Sequence, residues 1–198
     1  MKIKKAEFVT SAVKKEQYPS EFKQDIAFVG RSNAGKSSLL NALTNRKNLA
    51  KHGKTPGVTA LVNFFNINDT FYLVDLPGYG YAQRSKVEKA KWSGIINTYL
   101  EERPELGMVV QLVDIRHAPS KEDCMMYDWI RHSAVPHIVI ASKSDKINRS
   151  QTAKCIKQIR DVMQIPGNIT VLPVSSLKKT GLNELWERAE DVLFGSVL

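Results

Sequence analysis

Residues Gly30 to Ser37 (GRSNAGKS) carry the pattern in this sequence that points most directly to a chemistry. Gly30, Gly35, Lys36 and Ser37 satisfy GxxxxGK[ST] between a short apolar run and a helical pattern. Glycine lets the backbone wrap close to a phosphate, and the loop amides then converge on it as an anion nest. The following helix adds free N–H groups and the positive end of its dipole. In such a loop Lys36 reaches the β- and γ-phosphates and the Ser37 hydroxyl ligates Mg2+. Arg31, Ser32, Asn33 and Ala34 make up the rest of the loop.

Other segments fit the same chemistry. Asp75-Leu76-Pro77-Gly78 closes an apolar run about forty residues on. An aspartate there holds a magnesium shell through water, and Gly78 offers its amide to a γ-phosphate while letting the next loop move. Thr59, in Thr55-Pro56-Gly57-Val58-Thr59, is placed to close on Mg2+ and the γ-phosphate, although the segment also reads as a surface turn around Pro56-Gly57. Ser142-Lys143-Ser144-Asp145 follows another apolar run. A carboxylate at Asp145 can accept from guanine N1–H and its 2-amino group together, a donor pair that adenine lacks. The Lys143 stem can pack on the base. The common form of this motif begins with Asn, and here Ser142 stands in its place. Val174-Ser175-Ser176 offers a backbone amide to guanine O6, or is an ordinary strand-to-helix turn.

The elements that must position these loops are legible in the hydrophobic pattern. Strands are expected at 26–30, 61–67, 71–75, 108–114, 137–141 and 169–174. Helices are expected at 36–46, 87–102, from the N-cap Ser120 to about His132, 150–163 and 181–194. Asn68-Asp69 fits a tight hairpin turn. Strand and helix patterns alternate, so the expected class is α/β: a mostly parallel six-stranded sheet with one antiparallel edge strand and helices on both faces. The loops above fall at the carboxyl ends of strands, where ligands bind in such folds. Residues 1–22, with mixed charge and Pro19, read as an N-terminal extension of a domain spanning 23–198.

The chain has 198 residues, 29 Lys plus Arg against 20 Asp plus Glu, and a formal charge of +9, which favours an anionic partner. Cys124 and Cys155 form no CxxC pair and have no histidines at metal-ligand spacing, so reduced thiols in the cytoplasm are the simplest account. No stretch approaches the ~20 apolar residues of a membrane span. The basic N-terminus is followed by too short an apolar run for a signal peptide.

Together GRSNAGKSSLLNAL, KTPGVTALVNFF, VDLPGYGYA, VDIRHAPSKED and the SKSD loop resemble the EngB (YsxC/YihA) family of bacterial GTPases, among the translation-factor-related small GTPases. The resemblance runs from about Phe8 to the C-terminus. It implies a Ras-like P-loop GTPase fold, GTP hydrolysis to GDP with Mg2+, and a switch role in assembly of the large ribosomal subunit. It also implies a link to cell division and septation, a cytoplasmic location and a monomer. It places Mg2+ on Ser37 and Thr59 and catalytic roles on Lys36, Thr59 and Gly78. Nucleotide contacts fall on Gly30 to Ser37, on Gly57, Val58, Thr59, Ala60 and Leu61, on Asp75 to Gly78, on Ser142 to Asp145 and on Val174 to Ser176. Val58 and Ser142 depart from the family pattern.

Many GTPases orient the attacking water with a glutamine directly after DxxG. Here that position is Tyr79, and Gln83 is out of register, so slow hydrolysis stimulated by a partner is expected. In related GTPases an Asn at the Asn33 position helps hold K+ beside the phosphates. Asn33 either does this or only shapes the loop. Arg46, Lys47, Lys51 and Lys54, with no acid between them, and Lys5, Lys14 and Lys15 suggest ribosomal RNA contact. Two other classes stay open: a P-loop kinase or ATPase acting on a small molecule, against which Asp145 argues, and a non-enzymatic RNA-binding assembly protein that uses nucleotide for stability.

Overall fold

Short apolar runs become strands and the amphipathic runs between them become helices. A computed structural model describes residues 1–50, 61–80 and 86–195, with side chains in all of these except 86–93. Strands β1 (Ala6–Ala12), β2 (Asp25–Gly30), β3 (Val62–Ile67), β4 (Phe71–Asp75), β5 (Leu106–Asp114), β6 (His137–Ser142) and β7 (Val171–Val174) form one sheet in the order β1-β3-β4-β2-β5-β6-β7. Helices α1 (Lys36–Leu43), α2 (Lys86–Glu102), α3 (Lys121–His132), α4 (Thr152–Met163) and α5 (Leu182–Phe194) connect and cover them.

The strands β4, β2, β5, β6 and β7 are parallel. β3 runs antiparallel to both neighbours. Its turn to β4 is the expected one: Asn68 and Asp69 both have positive φ (51° and 59°), and Thr70 N–H donates to Ile67 O at 2.9 Å. Two residues in this conformation match the twist of a hairpin.

The sheet has seven strands, not the expected six, and its antiparallel strand is not at the edge, because β1 covers β3. β1 escaped the pattern for a local reason. Its pairing with β3 shifts register between Phe8 and Thr10, so the bulge at Val9 breaks the period of two. Phe8 and Val9 are exposed, as an edge strand permits.

The core lies on both faces of the sheet. Ile26 and Phe28 of β2 point to the face packed by Leu39, Leu40 and Leu43 of α1 and Leu185 and Trp186 of α5. Ala27 and Val29, one residue out of phase, point to the face covered by α2 and α3. α4 packs with α3 over β6 through Ile159, Met163 and Tyr127. α3 starts as its sequence indicates: the Ser120 hydroxyl accepts from Asp123 N–H, and the Asp123 carboxylate accepts from Ser120 N–H at 2.8 Å. Among the described residues, no helix is long and apolar enough to cross a membrane.

Candidate functional site

β2 delivers Gly30 to the carboxyl edge of the sheet, and the chain turns through Arg31 to Gly35 into α1. Gly35 caps that helix at φ +102°, a conformation that only glycine adopts without strain. Asn33 also has positive φ (66°), which asparagine tolerates, so it does shape the loop. Lys36 and Ser37 open α1, half-buried, where the first N–H groups of the helix have no intrahelical partner.

The segment after β4 lies directly against this loop. Tyr79 N–H donates to Gly30 O at 3.1 Å, and Ser32 N–H donates to Tyr79 O at 2.8 Å. A Cβ on Gly78 would stand 3.0 Å from the Lys36 Nζ and from Ser32 N, so only glycine allows this approach. Lys36 Nζ is 3.9 Å from Asp75 Oδ1, and that buried oxygen has no hydrogen-bond partner. Burial pushes the Asp75 carboxyl up, against the pull of Lys36. The unsatisfied Asp75 oxygen, with a loop that carries the Ser37 hydroxyl, offers only oxygen donors, the kind that a hydrated Mg2+ takes.

Tyr79 turns away from the loop. It is buried, its hydroxyl donates to Asp123 Oδ1 at 2.9 Å and accepts from Gln111 Nε2 at 3.2 Å. The position at which many GTPases keep a mobile glutamine is thus committed to the core. Burial drives the Tyr79 phenol well above its ordinary range, so it stays protonated.

The loop after β6 reaches back to the phosphate loop. Ser142 is buried, and its hydroxyl lies 2.7 Å from Ala34 O and 3.1 Å from Val113 O. One hydroxyl proton serves these carbonyls, so Ser142 braces the loop and has no proton left to donate to a base. Lys143, at φ 60°, donates from Nζ to Asn33 O at 2.7 Å and lies 2.9 Å from Asp114 Oδ2. Asp145 accepts from the Ser175 hydroxyl at 2.6 Å, while Lys146 stands 3.7 Å from its other oxygen. The Ser175 hydrogen bond, more than any other contact, holds the Asp145 carboxyl below its ordinary value. Ser175 is buried and bridges onward, its Oγ accepting from Lys178 N–H at 3.0 Å.

These contacts join Gly30 to Ser37, Asp75 to Gly78, Ser142 to Asp145 and Val174 to Ser176 at the carboxyl end of the parallel strands. Leu61 sits immediately before β3, half-buried. Gly57, Val58, Thr59, Ala60, Gln83, Lys51 and Lys54 lie outside the described residues. Two side chains at the site carry no role in the sequence reading: Gln111 and Asp114. Asp114 lies in the VDIRHAPSKED phrase, where a carboxylate ending a strand is the available signal, and Asp123, expected only beside the Ser120 N-cap, also holds the Tyr79 hydroxyl. Among the described residues, no group of three or more His, Cys, Asp or Glu side chains forms a metal cluster.

The chain can be set beside known proteins. Residues 25–143 match the family model described as "50S ribosome-binding GTPase". A probable GTP-binding protein EngB of Clostridioides difficile (strain 630) is 54% identical over 187 residues, which cover 94% of this chain and 92% of that protein. Among solved structures, that of a probable GTP-binding protein engB superposes with a TM-score of 0.74 at 24% identity, over 86% of this chain and 98% of that one. Era in complex with MgGDPNP and part of 16S ribosomal RNA superposes with a TM-score of 0.66 at 25% identity, over 86% of this chain and 56% of that one.

Proposed function

Because the chain belongs to the EngB family of GTP-binding proteins, which are GTPases, we propose that it is a Mg2+-dependent switch in assembly of the large ribosomal subunit, and through that bears on cell division and septation. It works in the cytoplasm as a monomer, and its partner is ribosomal RNA with its proteins. The observation that carries the reading is the meeting of a phosphate loop, an unsatisfied Asp75 oxygen and a pre-set Asp145 at one end of one sheet.

In this reading the amides of Gly30 to Ser37 cradle the phosphates and Lys36 neutralises charge on the transferred group. Gly78 turns its amide toward the γ-phosphate once Lys36 swings from Asp75 to the nucleotide. Ser37 and Thr59 would ligate Mg2+ and Asp75 would hold its water; the ion would supply positive charge against the transferred phosphoryl group. Asn33, which shapes the loop at φ 66°, would also be the residue to hold a K+ beside the phosphates. Phosphoryl transfer asks mainly for positioning and charge. Tyr79, turned inward, does not orient the water, which supports slow hydrolysis until a partner completes the site.

Guanine is read by Asp145. Its Asp145→Asn variant should lose about 10- to 100-fold in GDP affinity, since each hydrogen bond to a charged group contributes about 1.5–3 kcal/mol. The same variant should gain affinity for xanthosine diphosphate, whose 2-oxo group accepts where guanine donates. Undiminished GDP binding in calorimetry would remove Asp145 from this role.

A concavity of about 510 Å³ supports the RNA partner. It is lined by Lys4, Lys5, Arg46 and Lys47, with Glu7 the acid in its wall. Lys5 is partly neutralised by Asp69 at 3.0 Å and Glu7 at 3.3 Å, so the other three cations face solution with most of the free charge. Co-sedimentation with large ribosomal subunits tests the whole reading. Binding should be tighter with a non-hydrolysable GTP analogue than with GDP, and should fall with salt at a log–log slope on the order of −3. Subunits should also accelerate GTP turnover. Fast intrinsic turnover unaffected by subunits, or binding indifferent to nucleotide, would refute it.

A further inference from the structure

Asp114 closes β5, and none of the motifs that mark the nucleotide loops contains it. Its carboxylate is held from two sides. Arg116, two residues on, donates to it from the backbone N–H at 3.1 Å, from Nε at 2.9 Å and from Nη2 at 2.7 Å. Lys143, arriving from the loop after β6, places Nζ 2.9 Å from Oδ2. The same ammonium donates to the Asn33 carbonyl of the phosphate loop at 2.7 Å. An ammonium has three protons, so both contacts are made at once. Burial works to raise the Asp114 carboxyl, but the hydrogen bonds from Arg116 and Lys143 outweigh it and hold it well below the ordinary carboxylate range. It is therefore a permanent anion at neutral pH.

The geometry fixes more than one atom of Lys143. Its backbone is committed to φ 60°, and its Cε lies 3.9 Å from the point a Cβ on Gly35 would occupy. Both ends of the side chain are thus tied, and the four-carbon stem is stretched over the phosphate loop. Without the anion, Nζ keeps one neutral acceptor in a partly exposed place, and a long flexible stem regains its rotamers.

We infer that Asp114 is a positioning residue for guanine-nucleotide binding: it acts through Lys143, holding the lysine stem as a rigid shelf between the phosphate loop and the base-reading loop. Arg116 keeps the carboxylate aimed. This rests on the reading of the site as one for guanine nucleotides.

A double-mutant cycle on the full chain tests it, with GDP affinity measured by calorimetry in the presence of Mg2+. Asp114→Asn should weaken GDP binding about tenfold when Lys143 is present. In a Lys143→Met background, which keeps the stem and removes the ammonium, the same substitution should cost less than about twofold. Equal weakening in both backgrounds would show that Asp114 serves only the fold, and no weakening in either would show that it serves neither; both overturn the inference. Should Asp114→Asn not fold, the cycle is run with Asp114→Glu, which keeps the charge and moves it by one methylene. An additive cycle there overturns the inference just as an additive one with Asn does. A wild-type chain that fails to bind GDP would overturn the guanine reading and the inference with it, whereas GDP binding with an additive cycle sinks only the inference.

Discussion

Lys36→Ala lowers the GTP hydrolysis rate by about 10²- to 10³-fold, the range for removing one preorganised charge donor at a phosphoryl or oxyanion site. The expectation follows from position. Lys36 begins α1 beneath the phosphate loop, and Gly78 has no Cβ to keep it from approaching the ammonium. Single-turnover hydrolysis at saturating GTP, compared with wild type, is the measurement. A variant retaining more than about a tenth of the wild-type rate would show that the loop amides alone carry the charge. Full cellular function of the same variant would favour a protein that uses nucleotide only for stability.

The variant has a second consequence when nucleotide is absent. Burial already raises Asp75 and Lys36 is what opposes it, so alanine leaves a buried carboxylate with no cation near it among the described residues. A carboxyl whose folded value is raised binds its proton more tightly folded than unfolded. Stability is then fully present below the ordinary carboxylate range and declines as pH rises through the raised value. The nucleotide-free variant should therefore lose stability relative to wild type at about pH 8 more than at about pH 4. Thermal unfolding at both values checks the sign, and a penalty that shrinks with rising pH would contradict it.

The second large effect lies at the opposite end of the sheet. Arg103, buried after α2, donates from Nε to Asp25 Oδ2 at 2.7 Å, and Tyr99 donates to the same oxygen at 2.8 Å. Asp25 is fully buried at the start of β2. The guanidinium also donates to Pro19 O at 3.1 Å and lies 5.9 Å from the Tyr18 ring and 5.7 Å from that of Phe64. It pins the segment before β2 to the core. Arg103→Ala strands a buried carboxylate and frees that segment, so it should cost about 3–5 kcal/mol of stability. In a domain of this size that corresponds to a fall of roughly 10 °C in Tm. Replacing Asp25 and Arg103 together by apolar residues of similar volume should cost less than Arg103→Ala alone, because no carboxylate is then left at position 25 without its cation, while the contacts to Pro19 O and the Tyr99 hydroxyl stay lost. Denaturant unfolding measures both, and a loss under about 1 kcal/mol for the single variant would mean that water reaches the site.

Much of the fold was legible because it is local. The φ > 0 pair at Asn68-Asp69, the Ser120–Asp123 capping box and Gly35 ahead of α1 each act over a few residues, and their residue types announce them. β1 was hidden because an exposed, bulged edge strand needs neither alternation nor an apolar run. Tyr79 was recognised as unable to replace a water-orienting glutamine. Where its ring goes depends on Gln111 and Asp123, on elements that nothing in the neighbouring sequence connects to it.

The sequence by itself determined the order and residue types of the candidate nucleotide loops, since a phosphate nest or a guanine-reading carboxylate needs particular residues at particular short spacings. Only the tertiary structure decided how those loops are held. Ser142 braces Ala34 across 108 residues, Lys143 spans Asp114 and Asn33, and Asp25 meets Arg103 across 78. Partners at such distances are chosen by which strands become neighbours. That choice is made by burying two apolar faces of one sheet, and no short-range pattern records it.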